Sequence, residues 1–381
     1  MDYLLFFLIV RLSIYFIFLL ICISGLSAVK INIDKTIYTF SPNTSVIVCV
    51  RNGEKSLPYI LNDLSNQSYK GNIEFIIVDD NSNDNTKKII QDYSNKDKRF
   101  KYVSSNICNN NLNYKKRAID AGISISKYDY FLFTDVDCRV NKYWATSMMN
   151  NYKNPNINYI IGPSIIKDSN YNLVSKFQSI DFFMLILSSL STTQLNWPLA
   201  STGQNQSYKK SVFNEIGGFN RISHLLQGDD TIFLQLCNKN TILNAKFSTD
   251  INSFVHSKEI TSIKEFLLQR IRWAADGKII WKYNIIFYLI LLSTLCSNII
   301  FFIYPIILLK SKYFLILSIL LIVKFFLELF FYLLGRYKLN LKLDIQYFLF
   351  WFIINIPYVL IAGIMSFFIS NFKWRNRRIS I

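Results

Sequence analysis

The chain is 381 residues long, 51% hydrophobic, and carries a formal net charge of +17. So large an apolar share, gathered at the two ends, excludes a wholly soluble protein and leaves a middle with room for one large domain or two modest ones. The basic excess suits the cytoplasmic face of an anionic membrane. No nucleic acid is expected as a partner, because four apolar stretches stand against it and no basic helix or aromatic–basic motif supports it.

Met1–Val29 is almost unbroken apolar sequence. Ser27 and Ala28 are small enough for a cleavage site, but Asp2 replaces the basic cluster of a signal peptide and the stretch outruns its apolar core. An uncleaved anchor over residues 1–29 is therefore expected. Tyr283–Leu309, Tyr313–Leu334 and Tyr347–Ser370 each exceed the roughly 20 residues a helix needs to cross a bilayer. Residues 30–258 are mixed and globular in character. The six cysteines (Cys22, Cys49, Cys108, Cys138, Cys237, Cys296) are scattered without C-x-x-C, as reduced cytoplasmic thiols are. Asn43, Asn66 and Asn205 match glycosylation sequons, which a cytoplasmic domain leaves unused.

In chain order, Ser45–Val50 (SVIVCV) has the pattern of a buried parallel strand, ends at the turn Arg51-Asn52-Gly53, and precedes a helix over Leu57–Leu64. Asn72–Asp79 repeats the pattern, followed by Asp80, Asn81 and Ser82 and a helix from Thr86. A strand over Phe100–Val103 and a helix over Tyr114–Ile123 lead to Tyr130–Val140 (YFLFTDVDCRV), an apolar run closed by Asp135 and Asp137. On an extended chain these two aspartates project to one face, where they read either as a polar turn or as a metal and phosphate site. Alternating strands and helices predict an α/β domain with a mostly parallel sheet. Ligands then lie outside the carboxyl ends of the strands, just where Arg51, Asp80, Asp135 and Asp137 fall.

Further on come a strand over Asn156–Ile161, an apolar helix over Asn172–Leu190, and Ala200–Phe219 with a helix from Lys209 stopped by Gly217-Gly218. Gly228-Asp229-Asp230 opens another helix, where acidic residues also serve as caps. A helix from Ile260 carries Gln269, Arg272 and Trp273 at i, i+3 and i+4, on one face. Of the two histidines, His224 is assigned to the surface or to packing.

The order VDDNSNDNT, TDVDC, TGQNQSYKKSVFNEIGGF, GDD and QRIRW, followed by membrane segments, resembles the membrane-bound family 2 glycosyltransferases, among them ceramide glucosyltransferases and cellulose and hyaluronan synthases. The resemblance covers about residues 43–275 and implies a GT-A fold and a nucleotide-sugar donor, a UDP-sugar foremost. It implies that Asp80, beside Asp79, contacts the nucleotide base with Arg51 near it. Asp137 would hold Mg2+ or Mn2+ on the diphosphate, with Asp135 beside it, nearer the ribose and sugar, and His256 is a candidate third ligand as in some GT-A enzymes. Asp230 matches the general base, and Gln269, Arg272 and Trp273 the Q-x-x-R-W motif that closes over diphosphate and acceptor. The chain departs from the family pattern at Asp229, where Glu is usual, and at Ile232, where an acidic residue is frequent.

The expected organisation is thus an anchor (1–29), a cytoplasmic GT-A domain (30–258), an interfacial helix (259–282) and a membrane region of two or three spans with a basic tail (283–381). The expected activity is an inverting transfer of sugar to a lipid or lipid-linked glycan at a bacterial inner membrane. A processive polysaccharide synthase and an inactive membrane scaffold are the alternatives. Three C-terminal spans would carry Lys373, Arg375, Arg377 and Arg378 outside, against the positive-inside rule. The pair Lys324 and Glu328 either neutralises itself within a bundle or marks a segment that does not span.

Overall fold

The structure, a computed structural model, describes residues 2–30, 37–108, 111–166, 172–308, 314–368, 371–374 and 377–380. Arg375 of the basic tail lies outside them. The chain opens with α1 (Asp2–Ser27), β1 (Thr44–Val50), α2 (Leu57–Ser65), β2 (Ile73–Asp79), α3 (Thr86–Lys96), β3 (Phe100–Ser104), α4 (Tyr114–Ser124) and β4 (Tyr130–Asp135). There follow β5 (Cys138–Val140), α5 (Trp144–Asn150), β6 (Tyr159–Ile161), β7 (Ser164–Ile166), α6 (Leu173–Gln194), β8 (Gln206–Lys209), α7 (Lys210–Ile216) and α8 (Thr231–Lys239). The last elements are β9 (Ala245–Phe247), β10 (Val255–Ser257), α9 (Ile263–Asp276), α10 (Ile285–Leu308), α11 (Phe314–Lys338), α12 (Phe348–Phe368), β11 (Asn371–Trp374) and β12 (Arg377–Ser380).

These elements group into two compact units. The α/β unit comprises Asn32–Lys167, Pro198–Lys258 and Lys373–Ile381. Its main sheet has the order β3-β2-β1-β4-β8-β6-β9. β1, β2, β3 and β4 run parallel, and β8 is antiparallel to both β4 and β6. Val46, Val48, Phe75, Ile77 and Leu132 alternate into one buried layer, which α2, α3 and α5 cover. Both faces of the central strands are closed, which is why their sequences are almost uniformly apolar. A small second sheet, β5-β10-β7, stands apart. Asn205 is fully buried, donates to the carbonyls of Pro163 and Ser253 and accepts from Trp144, so its sequon is structural.

The predicted geometry of the Asp135–Asp137 pair is corrected here. β4 stops at Asp135, residues 136–137 form a turn, and β5 starts a different sheet. The two carboxylates are neighbours through a turn, not through the two-residue repeat of one extended strand.

The helical unit comprises Met1–Ile31, Asp168–Trp197 and Glu259–Phe372. α6, which falls inside the stretch expected to form the α/β domain, groups with these helices. Phe183 packs edge-on against Tyr332 of α11, and Leu187 packs on Gly335. Leu12, Ile300, Phe301 and Leu317 join α1, α10 and α11. Within the bundle Lys324 donates at 2.6 Å to Glu328, which also accepts from the Tyr15 hydroxyl. The charged pair therefore neutralises itself in the interior while α11 continues through it. Among the described residues α6, α10, α11 and α12 are long and apolar enough to cross a membrane.

Candidate active site

β1 is the strand from which the chain departs in both directions, toward β2 and β3 on one side and β4 on the other. Such a switch point opens a crevice at the carboxyl ends of the strands. Register sets what faces it: Val50 pairs with Asp79, and Cys49 with Asp135. Two predicted aspartates thus stand on either side of the end of β1.

On the β2 side Asp80 is 3% exposed, and its Oδ1 accepts from Arg117 Nη2 at 2.8 Å and Ser105 Oγ at 2.9 Å. Asp79 accepts the Ser82 backbone N–H at 3.0 Å, which closes the loop after β2. Arg51, expected near the nucleotide base, directs Nη1 to the carbonyls of Asp80 and Asn81 at 2.6 and 2.7 Å. It braces the loop that carries Asp80.

On the β4 side the centre is acidic and built around a residue that sequence reasoning missed. Lys115 Nζ lies 2.9 Å from Asp135 Oδ1 and 3.1 Å from Asp229 Oδ2. Burial opposes its charge, but Asp135 and Asp229 outweigh that and hold the ammonium well above its ordinary range. Burial raises the carboxyl of Asp135, Lys115 pulls it down, and Asp137 adds a further push upward. Asp230 caps α8 through Thr231 N–H and accepts the Gly203 N–H at 3.1 Å. Burial, with Asp229 next to it, pushes its carboxyl up to about 6.

The supports are equally specific. Gln206 Nε2 donates to the Asp229 carbonyl at 3.1 Å, and Ser201 and Thr231 exchange two hydrogen bonds. Gly228 turns the chain at φ +106°, a conformation that favours glycine. A Cβ on Gly203 would stand 2.6 Å from Lys115 Nζ and 3.1 Å from Asp229 Oδ2, so a side chain here would displace the ammonium.

A signal for Lys115 was present in the sequence. Tyr114-Lys115-Lys116-Arg117 puts three cations in the first turn of α4, where the helix dipole disfavours them. Each has acceptors of its own: Lys115 has Asp135 and Asp229, Arg117 has Asp80, and Lys116, fully buried, has the carbonyls of Ile222, Leu225 and Gln227 in the loop before α8.

Among the described residues no group of three His, Cys, Asp or Glu could hold a metal on its own. His256 lies on β10 opposite Arg139 and does not complete a ligand set. His224 is exposed. Three carboxylates, Asp135, Asp229 and Asp230, act on the Lys115 ammonium, and Asp137 acts on Asp135. The residues fit a divalent cation that arrives with phosphate oxygens and takes one or two protein carboxylates, the ordinary habit of Mg2+.

Gln269, Arg272 and Trp273 lie on α9 in the helical unit, where Ser262 caps the helix by accepting from Glu265 N–H. Arg270, between them, is 3% exposed and pairs with Asp181 of α6 at 2.7 Å. Its guanidinium stands 4.3 Å from the Trp273 ring centroid.

Residues 45–220 match the glycosyl transferase family 2 model. The poly-beta-1,6-N-acetyl-D-glucosamine synthase of Staphylococcus epidermidis is 27% identical over 146 residues, 38% of this chain and 34% of that protein. The 4,4'-diaponeurosporenoate glycosyltransferase of Staphylococcus haemolyticus is 36% identical over 97 residues, 26% of this chain and 24% of that protein. The chain thus spans about a third and a quarter of these two relatives. A mannosyltransferase from Pyrobaculum calidifontis, solved with GDP-Man and Mn2+, superposes with a TM-score of 0.62 at 13% identity, covering 94% of this chain and 96% of that one. The chain carries a glycosyl transferase family 2 domain, in a mixed α/β unit of the GT-A type.

Proposed function

We propose that the chain is an inverting glycosyltransferase that moves a sugar from a nucleotide-diphosphate donor, a UDP-sugar foremost, to a lipid or lipid-linked glycan in the membrane. The observation that carries this reading is the convergence of Asp80, Asp135, Lys115, Asp229 and Asp230 at one sheet edge.

In this reading Asp79 and Asp80 receive the nucleoside, on a loop that Arg117 and Arg51 keep in place. Asp135 lies toward the ribose and sugar. Asp137, with Asp135 beside it, would hold Mg2+ or Mn2+, which when bound supplies positive charge to the departing diphosphate. Lys115 contributes a fixed cation from the protein itself. Asp230 takes the proton of the acceptor hydroxyl as it attacks the anomeric carbon. A single displacement with a base on the far side inverts that centre. Asp229 keeps Lys115 in register, and its shorter side chain suits the 3.1 Å contact. Gln269, Arg272 and Trp273 would close over diphosphate and acceptor.

The membrane reading follows from connectivity. β6 and β8, which flank α6, pair in one sheet, so α6 leaves and rejoins the same unit and cannot cross a bilayer once. α12 begins with Phe348 on Tyr332 and ends with the Ser366 carbonyl accepting from Lys278, seven residues before α10 starts. Both its ends therefore lie toward one end of the bundle. In this reading the chain crosses at α1, α10 and α11, while α12, whose Ile356 packs with the Leu12, Ile300, Phe301 and Leu317 cluster, enters the bundle and returns. On this proposal the basic tail of a bacterial inner-membrane protein is cytoplasmic, in keeping with the positive-inside rule. So few crossings offer little wall for a polymer channel, which favours single or short additions over processive synthesis.

The test uses detergent-solubilised full chain with candidate donors, with and without EDTA, beside Asp137→Ala and Asp230→Asn. Loss of donor-dependent turnover in all three is expected. Turnover that survives chelation and both substitutions would sink the mechanism. A reporter fused to the C-terminus should read cytoplasmic.

A further inference from the structure

At one end of the helical unit, α6 begins beside the loop that joins α11 to α12. Lys176, Ser179, Lys342, Asp344 and Tyr347 line a cavity there of about 180 Å3. Lys176 Nζ lies 2.8 Å from Asp344 Oδ2 and 5.3 Å from the Tyr347 ring centroid. The Asp344 side chain is half exposed, and its backbone carbonyl accepts from the Tyr332 hydroxyl at 3.1 Å. Lys342 is exposed and has no ion-pair partner among the described residues. Ser179 is only 8% exposed, lines the cavity, and makes no hydrogen bond among the described residues. The Ser179 hydroxyl and the Lys342 ammonium thus offer donors to the cavity beside the Lys176–Asp344 pair.

The level of this cavity in the bundle narrows what that acceptor is. Lys338, in the last turn of α11, donates at 2.7 Å to the carbonyls of Ser27 and Val29, where α1 ends. The apolar run of α11 stops at this point, and α12 resumes it at Phe348. The loop between them thus lies where three apolar segments meet water, the level of lipid headgroups. Lys176 and Lys342 line the cavity with Asp344 as its one acidic lining residue, and Arg336 and Lys338 lie in the last turn of α11 nearby in sequence. Basic residues at this boundary attract anionic headgroups.

We propose that this cavity binds a phosphate group carried on a membrane lipid, held by Lys176 and Lys342, with Ser179 donating from the wall. Lysine serves phosphate well as a point charge. Asp344 occupies Lys176 until a more highly charged group displaces it and swings away into water. The inference rests on the membrane reading above and on no step of sugar transfer.

The test places the full chain in nanodiscs of phosphatidylcholine with or without phosphatidic acid and measures retained lipid by native mass spectrometry. Lys176→Gln with Lys342→Gln should lower the retention of phosphatidic acid about tenfold, the scale of a lost charge-assisted hydrogen bond. Asp344→Asn should raise it, a gain that misfolding does not produce. Lys342→Arg, which keeps the charge, should retain most of the binding. Inorganic phosphate is added as a competitor: competition shows that the headgroup suffices, and its failure shows that the acyl anchor is needed. Equal retention by wild type and the double variant, no preference over phosphatidylcholine, or weaker binding in Asp344→Asn would each overturn the proposal. Because the readout is lipid retention, a chain that transfers no sugar still passes or fails it.

Discussion

Lys115 Nζ stands 2.9 Å from Asp135 Oδ1, so the first turn of α4 puts a cation at the carboxyl end of β4. The same ammonium reaches Asp229 and thereby ties β4 to the start of α8. Replacing Lys115 with Met leaves those carboxylates facing one another without a counter-charge. Turnover with the native donor should fall by about 10²–10³, the usual scale for losing one preorganised electrostatic contact. Lys115→Arg should recover part of it. Steady-state kinetics on the two variants, with circular dichroism to confirm folding, check this.

Asp230 supplies the pH dependence. Its carboxyl is pushed up to about 6, so the base is mostly protonated below that value and free above it. The rate should fall on the acid side with an apparent pKa near 6. Lys115→Met should move that limb upward, since Lys115 lowers the Asp230 carboxyl. Linkage fixes the sign of the stability effect. A carboxyl raised in the folded state gives stability that is fully present below its unfolded value and lost as pH rises through about 6. Asp230→Asn should therefore abolish turnover at pH 7.5 and raise Tm there, because Asn still accepts from Thr231 and Gly203 without a buried charge. A pH–rate profile and paired melting curves at pH 5 and 7.5 test both signs.

The α/β layout was legible because each central strand is a short β-branched or aromatic run ending in polar turn residues. SVIVCV, IEFIIVD and YFLFTD could be placed, and so could the aspartates just past them. Asp79, Asp80, Asp135, Asp229 and Asp230 could be put at strand ends and a helix start from chain order alone. What was not legible depends on reach. A lysine side chain gives no sign of which carboxylate it will meet, and Lys115 was passed over even though three cations at a helix N-terminus invite a reason. The turn at residues 136–137 was hidden because Val136 continues the apolar pattern of β4. The membership of α6 was hidden too, since an apolar helix does not say which partner buries it. Tyr15 and Glu328 meet across 313 positions, a separation no local pattern reports.

Gly203 gives a steric test of the same centre. Its missing side chain leaves room for Lys115, Asp229 and the Asp230 contact to the Gly203 N–H. In Gly203→Ala the methyl would stand 2.6 Å from Lys115 Nζ, too close for any real contact, so the ammonium must shift. Because Lys115 is a flexible chain end, the fold should survive with Tm lowered by only a few degrees, about 1 kcal/mol. Turnover should fall at least tenfold. Equal activity in Gly203→Ala and wild type would mean that the ammonium's position does not matter.

In the helical unit the decisive contact is between Arg270 and Asp181. The pair is 2.7 Å apart, with Arg270 3% and Asp181 6% exposed, and the guanidinium is enclosed by Phe182, Phe266 and Trp273. Arg270 sits between Gln269 and Arg272 on α9, so the rotation that buries it also sets the direction of its neighbours. Asp181→Asn leaves a buried cation without its counter-charge, and should cost about 3–5 kcal/mol. Asp181→Leu combined with Arg270→Met removes both charges and should restore most of that stability, since buried pairs are often replaceable by apolar side chains. The cage would then lose the cation that holds the Trp273 ring at 4.3 Å. Melting curves should thus separate the single variant from the double one. The donor KM should stay raised in both if the ring's position is what the pair maintains. A double variant with wild-type KM would confine Arg270 and Asp181 to holding α9 against α6.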